Sequence, residues 1–256
     1  MDLPGRRSAH DSTAASAPKQ KKEKKQLPWY IDIPMVVITV LICALFIQTF
    51  IGRLYVIPSG SMEPTLHGCS GCEGDRIFVD KITYHLRDPK PGDVVVFKGP
   101  ESWNGSFITN RSSNPLVRGL QNVGSYVGFV APDENDLVKR IVATGGQTIQ
   151  CLDGDKGVTV DGHVIDSSYT LTPHQNPIDP STGSEACGGP YFGPITVPDG
   201  NVFVMGDNRT NSADSRYHLG DEYQGTVPED LIIGKVDARV LPLSRIGGVK
   251  SYDIQN

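Results

Sequence analysis

Two serines in one short turn are the first residues whose types and spacing could do nucleophilic chemistry. The stretch VIPSGSMEPTL, residues 56–66, places Ser59 and Ser61 on either side of Gly60. Proline fixes φ and glycine permits positive φ, so this turn can hold one backbone geometry and present a hydroxyl. Turns rich in Ser, Gly and Pro are also common where no chemistry occurs. The turn is therefore a candidate site only if a base lies near it.

The candidate base is Lys139, within the segment LVKRIVATGG. Strand alternation places Lys139 on the same face as Ile141, opposite Val138 and Arg140. A lysine on an apolar face is explained either by an ion pair or a side chain that reaches solvent, or by a function that needs a neutral amine. The ordinary lysine pKa is near 10.4, and full burial lowers it by about 3–5 units. A buried Lys139 could therefore deprotonate a serine hydroxyl.

A third segment is dense in hydrogen-bonding side chains and follows the apolar stretch NVFV. In isolation, the loop MGDNRTNSADSR would be explained by turns that its own side chains stabilise. Beside a serine and a neutral lysine, the same side chains could orient both groups. The candidate supporting residues are Asp207, Asn208, Arg209, Ser212, Asp214 and Arg216.

One apolar segment must position the serine turn, because it ends only a few residues before it. Residues 33–51 contain no charged side chain and span about 28 Å as a helix, about the thickness of a bilayer core. Trp29 and Tyr30 precede the segment and Tyr55 follows it, as is typical of membrane interfaces. No small-residue cleavage site follows, which favours an uncleaved anchor over a signal peptide.

The charge distribution predicts the orientation of this anchor. Residues 1–32 have a net charge of +3 and the remainder −8, within a total of −5. A basic head before an apolar segment predicts a cytoplasmic N-terminus and an external remainder. The negative total argues against nucleic acid as a partner.

Beyond the anchor, the apolar pattern changes to the alternation of short β-strands. Seven segments are β-branched and bounded by Gly, Pro or Asp, which predicts a mainly antiparallel β domain. Asp161-Gly162 is a two-residue hairpin signal. The predicted strand segments are DRIFVDKITY, GDVVVFKG, DLVKRIVATG, QTIQCL, GVTVDGHVI, NVFVMGD and LIIGKVDARVLPL.

The predicted organisation has three parts. Residues 1–28 form a disordered basic tail, residues 29–52 the anchor and residues 53–256 the β domain. Two stretches interrupt the β pattern, at about 100–135 and 167–196. The first contains NPLVRGLQNVGSYVG, which predicts a short helix, and the second is rich in Pro, Gly and Ser.

Four cysteines outside the anchor favour disulfides in an external compartment. Cys69 and Cys72 form a CxxC pair that could also bind zinc or act in redox chemistry, but no second pair completes a metal site. With Cys151 and Cys187 they allow one or two disulfides, and the pairing is open. Cys43 lies in the apolar segment.

The motifs PSGSMEPTL, GDVVVFK, VKRIVATGG and GDNRTNSADSR stand in one order behind one anchor. In this respect the chain resembles the bacterial type I signal peptidases, over about residues 30–245. The resemblance implies a Ser–Lys endopeptidase of mainly β fold, related to LexA-like repressors. It implies cleavage of signal peptides from exported preproteins after small residues, in an Ala-X-Ala pattern. It also implies a single-pass cell-membrane protein, no cofactor or metal, and the bilayer and the secretion machinery as further partners.

By this resemblance, Ser61 corresponds to the nucleophile and Lys139 to the general base. The Ser61 backbone N–H and the Ser59 hydroxyl correspond to the oxyanion donors. Ser212 corresponds to the hydroxyl that orients the lysine amine. The remaining correspondences are the supporting ion pair Asp214–Arg216, the loop residues Asp207, Asn208 and Arg209, and Met62 on the substrate and membrane side.

The chain departs from the family pattern at two points. Gly145 and Gln147 replace the Pro and Asp of a turn that follows the lysine strand, which puts the rigidity of that turn in question. Thr210 stands where an Asp is common.

Three other functions are compatible with parts of the sequence. A Ser-His-Asp hydrolase would use Ser61, His218 and Asp207. A self-cleaving LexA-like repressor would need a DNA-binding N-terminal domain, where this chain has a basic tail and an anchor. A membrane-tethered β binding module would need no catalysis.

Overall fold

The computed structural model describes residues 28–69, 74–103, 111–126 and 136–255. Residues 1–27 of the predicted tail, Cys72, and residues 104–110 and 127–135 of the first insertion lie outside these residues. The chain divides after Val40 into two units, of which the second contains the β-sheets and the serine turn.

The apolar segment is helical, as predicted. Helix α1 spans Trp29–Phe46 and continues as one wider turn over Ile47–Ile51. Within the described ranges, Trp29–Ile51 is the one helix long and apolar enough to cross a membrane. A helix that is apolar on all sides needs an apolar surrounding, which a bilayer supplies.

The main sheet is antiparallel and follows the β pattern of the sequence. Its strands are β1 (Gly52–Val56), β2 (Arg76–Asp80), β3 (Val94–Lys98), β4 (Asp136–Thr144), β11 (Asn201–Met205), β12 (Val227–Pro228), β13 (Ile232–Leu241) and β14 (Gly247–Gly248). Their order is β1-β2-β13-β3-β4-β11-β12, and β14 pairs with β13. Lys139 on β4 lies opposite Val95 on β3, in the middle of the sheet.

A smaller antiparallel sheet packs against the C-terminal end of β4. It consists of β5 (Thr148–Cys151), β6 (Thr159–Val160), β7 (His163–Val164) and β10 (Phe192–Thr196), and a separate hairpin is formed by β8 (Gly183–Ser184) and β9 (Gly189–Pro190). The β6–β7 turn has positive φ at Asp161 and Gly162, 50° and 83°, as the Asp-Gly signal predicts.

Two short helices lie in the connections between strands of the main sheet. Helix α2 spans Thr83–Leu86 after β2, and helix α3 spans Pro115–Tyr126 between β3 and β4. Helix α3 confirms the short helix predicted from the sequence of the first insertion.

Three apolar clusters hold the β domain together, and they flank the site. One lies under the serine turn and contains Met62 and Leu66, both at most 1% exposed. A second contains Val95, Phe97 and Ile141. The third joins the smaller sheet to β4 and β11. Each fully buried aliphatic side chain in such a cluster contributes roughly 1.5–3 kcal/mol.

The cysteines form at least one disulfide, between Cys151 and Cys187. It connects β5 to the loop before β9, inside the third apolar cluster. Cys43 is free and exposed. The Cys151–Cys187 disulfide connects the second insertion covalently to the smaller sheet.

The turn that departs from the family pattern is held by other contacts. Gln147 Oε1 accepts a hydrogen bond from the Thr144 backbone N–H at 2.9 Å, and its Nε2 donates to Gln255 Oε1 at 2.9 Å. Gly146 has φ +82°, which a side chain would disfavour. The glutamine therefore supplies the contacts that fix this turn.

Candidate active site

The serine turn is a short 3-10 helix directly after β1. It spans Gly60–Met62 and is preceded by Ser59 in an extended conformation. Ser61 is 9% exposed, and Ser59 Oγ lies 3.4 Å from Ser61 Oγ as a hydrogen-bond donor. The turn therefore places the Ser59 and Ser61 hydroxyls next to each other.

Lys139 reaches the Ser61 hydroxyl from β4. Its Nζ donates to Ser61 Oγ at 2.8 Å, across 78 positions of sequence, and both groups are buried. The side chain is 4% exposed. This is the distance that proton transfer between a nucleophile and its base requires.

Burial lowers the pKa of Lys139 from 10.5 to about 8. Desolvation is the largest cause, because the buried ammonium loses its hydration. The carboxylates of Asp214 and Asp207 raise the pKa, and the Arg216 guanidinium lowers it. A fraction of about one tenth of the lysine is then neutral one pH unit below its pKa.

Asn208 holds the serine turn from the loop after β11. Its backbone N–H donates to the Ser61 carbonyl at 3.1 Å, and its Nδ2 donates to the Gly60 carbonyl at 3.0 Å. The loop therefore binds two consecutive carbonyls of the turn. These contacts fix where the Ser61 backbone N–H points.

The neighbouring residue, Asp207, connects the loop to the lysine strand. It accepts two hydrogen bonds from Arg140, at 2.8 and 2.7 Å, and one from Thr65 Oγ1 at 2.5 Å. The guanidinium of Arg140 lies 4.4 Å from the ring centre of Tyr169. Arg140, Thr65 and Tyr169 are supporting residues that the sequence analysis missed.

Asp214 and Arg216 form a second buried ion pair in the same loop. Arg216 Nε and Nη2 each donate to the Asp214 carboxylate at 2.9 Å. Burial alone would raise the pKa of Asp214, but the Arg216 charge and hydrogen bonds from Arg216 and Gly206 hold it below its ordinary value. Arg209 donates to the Gly206 carbonyl at 3.2 Å and to Tyr169 Oη at 2.9 Å. These contacts join residues of the loop after β11 to one another and to Tyr169.

Two residues have surroundings that differ from their predicted roles. Ser212 Oγ is buried beside the Asp214 carboxylate and helps to lower the pKa of that group, and no hydrogen bond joins it to Lys139 Nζ within the described ranges. Its predicted bond to Lys139 stays a prediction. Met62 is 1% exposed and packs in the cluster under the turn. Its predicted contact with substrate also stays a prediction.

His218, the base of the alternative Ser-His-Asp hydrolase, is engaged elsewhere. Its ring stacks on Trp103 with centroids 4.2 Å apart. The indole Nε1 of Trp103 donates to Asp221 at 3.0 Å. The basic group that contacts Ser61 Oγ is Lys139 instead.

Comparison with known proteins gives the family. The sequence model described as "Signal peptidase, peptidase S26" matches residues 30–241. A "Probable signal peptidase I" of Mycobacterium leprae is 49% identical over 270 residues, covering 100% of this chain and 90% of that protein. A "Signal peptidase I" of Mycobacterium tuberculosis strain H37Rv is 49% identical over 250 residues, covering 96% and 83%.

A crystal structure of a signal peptidase I from Enterococcus faecalis matches at a TM-score of 0.33 and 19% identity, covering 59% of this chain and 97% of that chain. That match is too distant to add to the sequence comparison. The family model spans most of the chain, and two relatives are nearly half identical over almost all of it. The chain therefore belongs to the signal peptidase family, peptidase S26.

Proposed function

We propose that this protein is a membrane-anchored serine endopeptidase that removes signal peptides from exported preproteins, with Ser61 as nucleophile and Lys139 as general base. The observation that carries the proposal is the buried contact of 2.8 Å between Lys139 Nζ and Ser61 Oγ. The membership of the peptidase S26 family supplies the substrate class.

In the proposed reaction, the neutral Lys139 amine accepts the proton of the Ser61 hydroxyl. The Ser61 oxygen then attacks the carbonyl carbon of the scissile peptide bond. Lys139 gives its proton to the leaving amine, and an ester between Ser61 and the signal peptide remains. The same amine next takes a proton from a water molecule, whose oxygen attacks the ester carbonyl carbon. The bond from that carbon to the Ser61 oxygen then breaks, the oxygen takes the proton back from Lys139, and the signal peptide leaves with a new carboxyl terminus.

The oxyanion that forms during attack needs two donors near the Ser61 oxygen. We assign the Ser61 backbone N–H and the Ser59 hydroxyl, which lies 3.4 Å from Ser61 Oγ. The contacts of Asn208 with the turn hold the first donor in place. One donor of this kind contributes about 3–4 kcal/mol to transition-state stabilisation.

Strand edges beside the site are suited to an extended substrate. Strand β1 leads into the serine turn and pairs only with β2 among the described strands. On β4, β11 pairs with Arg140–Thr144 and leaves one edge of residues 137–139 without a strand partner in the described part of the chain. A peptide can add to such edges through backbone hydrogen bonds, and small residues let its backbone approach the turn.

The apolar helix gives this enzyme its location. We infer a cytoplasmic N-terminus and an external β domain from the basic residues before the helix. Ser61 is ten residues beyond Ile51, so the tether reaches at most about 35 Å. A signal peptide in the same bilayer presents its cleavage site within that layer, which raises the effective concentration of the substrate. The bilayer and the secretion machinery are the proposed partners besides the preprotein.

The test is to map the cut in a model preprotein by mass spectrometry, with the full-length protein in vesicles. We expect one cut after a small residue by the wild type and none by Ser61→Ala or Lys139→Ala. Circular dichroism must show both variants folded. A cut made by either folded variant would refute the assignment of the two residues.

A second comparison separates the Ser–Lys enzyme from the alternatives. His218→Ala should keep cleavage, whereas it would lose cleavage in a Ser-His-Asp hydrolase. A binding module would retain the preprotein on vesicles without cutting it, in the wild type as in Ser61→Ala.

A further inference from the structure

The second insertion lies against the loop after β11, which supports the serine turn. The Leu171 backbone N–H donates to the Asp207 carbonyl at 3.0 Å. Five positions further on, Asn176 Nδ2 donates to the Thr210 carbonyl at 2.8 Å. The insertion, which the sequence predicted only as an interruption of the β pattern, is therefore bound to the loop that holds Ser61.

Thr210, which stands where the family commonly has an Asp, takes part in this contact with its side chain. Its hydroxyl accepts a hydrogen bond from the Asn176 backbone N–H at 3.1 Å. Asn176 is thus bound through both its backbone and its side chain to one residue of the loop. The departure from the family pattern therefore falls where the second insertion binds the loop.

Gln175, next to Asn176, makes the contact that leads to the serine turn. Its Oε1 accepts hydrogen bonds from Asn208 Nδ2 at 2.6 Å and from Asn211 Nδ2 at 3.2 Å. Asn208 Nδ2 also donates to the Gly60 carbonyl at 3.0 Å. A side-chain amide nitrogen carries two protons, so these two acceptors use both of them. Two consecutive hydrogen bonds therefore connect Gln175 to Gly60.

The two acceptors together fix the orientation of the Asn208 amide. If the amide were rotated by half a turn, Asn208 Oδ1 would face the oxygens of Gly60 and Gln175, and acceptors would meet acceptors. Asn208 is 1% exposed, and its Oδ1 accepts no hydrogen bond in the described part of the chain. Because Oδ1 contributes nothing that holds the amide, its orientation depends on Gly60 and Gln175.

The Gly60 carbonyl matters because it shares a peptide unit with the proposed oxyanion donor. The peptide bond between Gly60 and Ser61 is trans, and a planar trans peptide points its C=O and its N–H in opposite directions. A hydrogen bond that fixes the Gly60 carbonyl therefore also fixes the direction of the Ser61 backbone N–H.

We propose that Gln175 is a positioning residue of the oxyanion site. Through Asn208 it holds the Gly60–Ser61 peptide unit, so that the Ser61 N–H points at the oxygen that becomes negatively charged. This inference rests on the function proposed above. Since that charge forms only in the transition state, loss of Gln175 should lower kcat and leave KM nearly unchanged.

A matched pair of substitutions isolates the acceptor of Gln175. Gln175→Met keeps an unbranched side chain of similar length but has no strong acceptor, whereas Gln175→Glu keeps the acceptor. Gln175 is exposed, so both variants should unfold in urea at the wild-type midpoint. Gln224→Met is the control, because Gln224 is also exposed and lies in the turn before β12, where its backbone N–H donates to the Asp221 carbonyl.

The first measurement is steady-state cleavage of a soluble peptide by the full-length protein in detergent. In Gln175→Met, kcat should fall about tenfold, less than for complete loss of an oxyanion donor, because the Asn208 backbone N–H still holds the Ser61 carbonyl. Gln175→Glu and Gln224→Met should keep kcat within about threefold of the wild type. An unchanged kcat in Gln175→Met, a rise in KM alone, or an equal loss in the Met and Glu variants would each refute the proposal.

The second measurement uses a peptide aldehyde and the peptide alcohol of the same sequence as inhibitors. When the Ser61 oxygen adds to the aldehyde carbon, the hydroxyl proton passes to Lys139 and the aldehyde oxygen becomes an oxyanion. The alcohol has no carbonyl and forms no such adduct. Gln175→Met should therefore weaken inhibition by the aldehyde about as much as it lowers kcat, and should leave inhibition by the alcohol unchanged. Equal weakening of both inhibitors would contradict a role at the oxyanion.

The third measurement asks whether Gln175 acts through Asn208. In the Asn208→Ala background, Gln175→Met should lower kcat no further, because the amide that it orients is gone. A further tenfold loss there would refute the proposed route.

The same assays separate this inference from the proposed function. If the wild type does not cut the peptide, or if folded Ser61→Ala cuts it, the proposed function fails and this inference fails with it. If the wild type cuts, Ser61→Ala does not, and Gln175→Met cuts like the wild type, this inference fails alone.

Discussion

Arg140 and Asp207 form a fully buried ion pair, with Nε–Oδ1 and Nη2–Oδ2 distances of 2.8 and 2.7 Å and no exposure of either side chain. Each residue is adjacent in sequence to a residue of the site. Arg140 follows Lys139, and Asp207 precedes Asn208, which binds the serine turn. The pair therefore fixes the lysine strand relative to the serine.

Breaking this pair should destabilise the protein strongly. Asp207→Asn leaves the Arg140 charge buried without its counter-ion, and such losses cost about 3–5 kcal/mol. We expect a correspondingly lower midpoint in urea denaturation. Asp237→Asn is the control, because its pair with Lys235 is at the surface, 3.4 Å apart, and such pairs contribute at most about 1 kcal/mol. Equal effects of the two variants would contradict this account.

The strands that the sequence predicted are those rich in β-branched and apolar residues. All seven predicted segments contain strands, because such side chains suit the pleated surface of a sheet. Strand β1, Gly52–Val56, was missed because its five residues lie between the anchor and the serine turn and their burial does not alternate. Strand β10 was missed because Gly193 and Pro194 lie inside it, and the register shifts at that point.

In the site, most contacts between residues far apart in the chain were not predicted from the sequence. Ser61 and Lys139 were predicted together, and they lie in contact across 78 positions. Arg140 was predicted only as the residue opposite Lys139 on the strand. Its partner Asp207 is 67 positions away, and local alternation contains no information on such a pairing. The second insertion and its disulfide also contact the loop after β11, through Gln175 and Gly188, and the local sequence does not predict these contacts.

Substitution of Gly206 should displace the serine turn. A Cβ at Gly206 would lie 2.3 Å from Ser212 Oγ and 2.5 Å from the Ser61 carbonyl oxygen. Gly206→Ala should therefore lower kcat by about tenfold or more, since small displacements of catalytic groups are costly. Gly220→Ala is the matched control, because no atom lies within 4 Å of the added Cβ. Steady-state cleavage of a peptide measures both, and an unchanged kcat for Gly206→Ala would contradict the geometry.

Reduction of the Cys151–Cys187 disulfide should destabilise the loop that supports Arg216. The bond closes a loop with a sequence separation of 36, and loops of this length contribute about 4 kcal/mol in the chain-entropy account. Gly188, next to Cys187, accepts a hydrogen bond from Arg216 Nη1 at 3.2 Å. We expect Cys151→Ser/Cys187→Ser to melt at a lower temperature than the wild type by calorimetry. Cys43→Ser, which changes a free and exposed thiol, should melt like the wild type; equal melting of all three would count against a structural role.

The buried Lys139 should lower the free energy of unfolding relative to an apolar side chain at the same position. Its pKa is about 8 when folded and 10.5 when unfolded, so the unfolded chain binds more protons between these values. Stability of the wild type therefore rises with pH across that window, and below it the charged amine costs up to about 3 kcal/mol. Lys139→Met should be more stable than the wild type at pH 7, and this advantage should shrink as the pH rises towards 10. A constant difference in the urea midpoint across this range would show that the amine does not titrate on unfolding.

The pH dependence of cleavage should follow the neutral form of Lys139. Because desolvation lowers its pKa to about 8, kcat/KM should rise about tenfold per pH unit below pH 8 and level off above it. The measurement is kcat/KM for a soluble peptide from pH 5.5 to 9.5, in detergent, for the wild type and His218→Ala. The variant should give the same curve, since His218 stacks on Trp103 and takes no part in proton transfer. A rise at lower pH that disappears in His218→Ala would instead assign the base to the histidine, whose pKa burial lowers, and would remove Lys139 from that role.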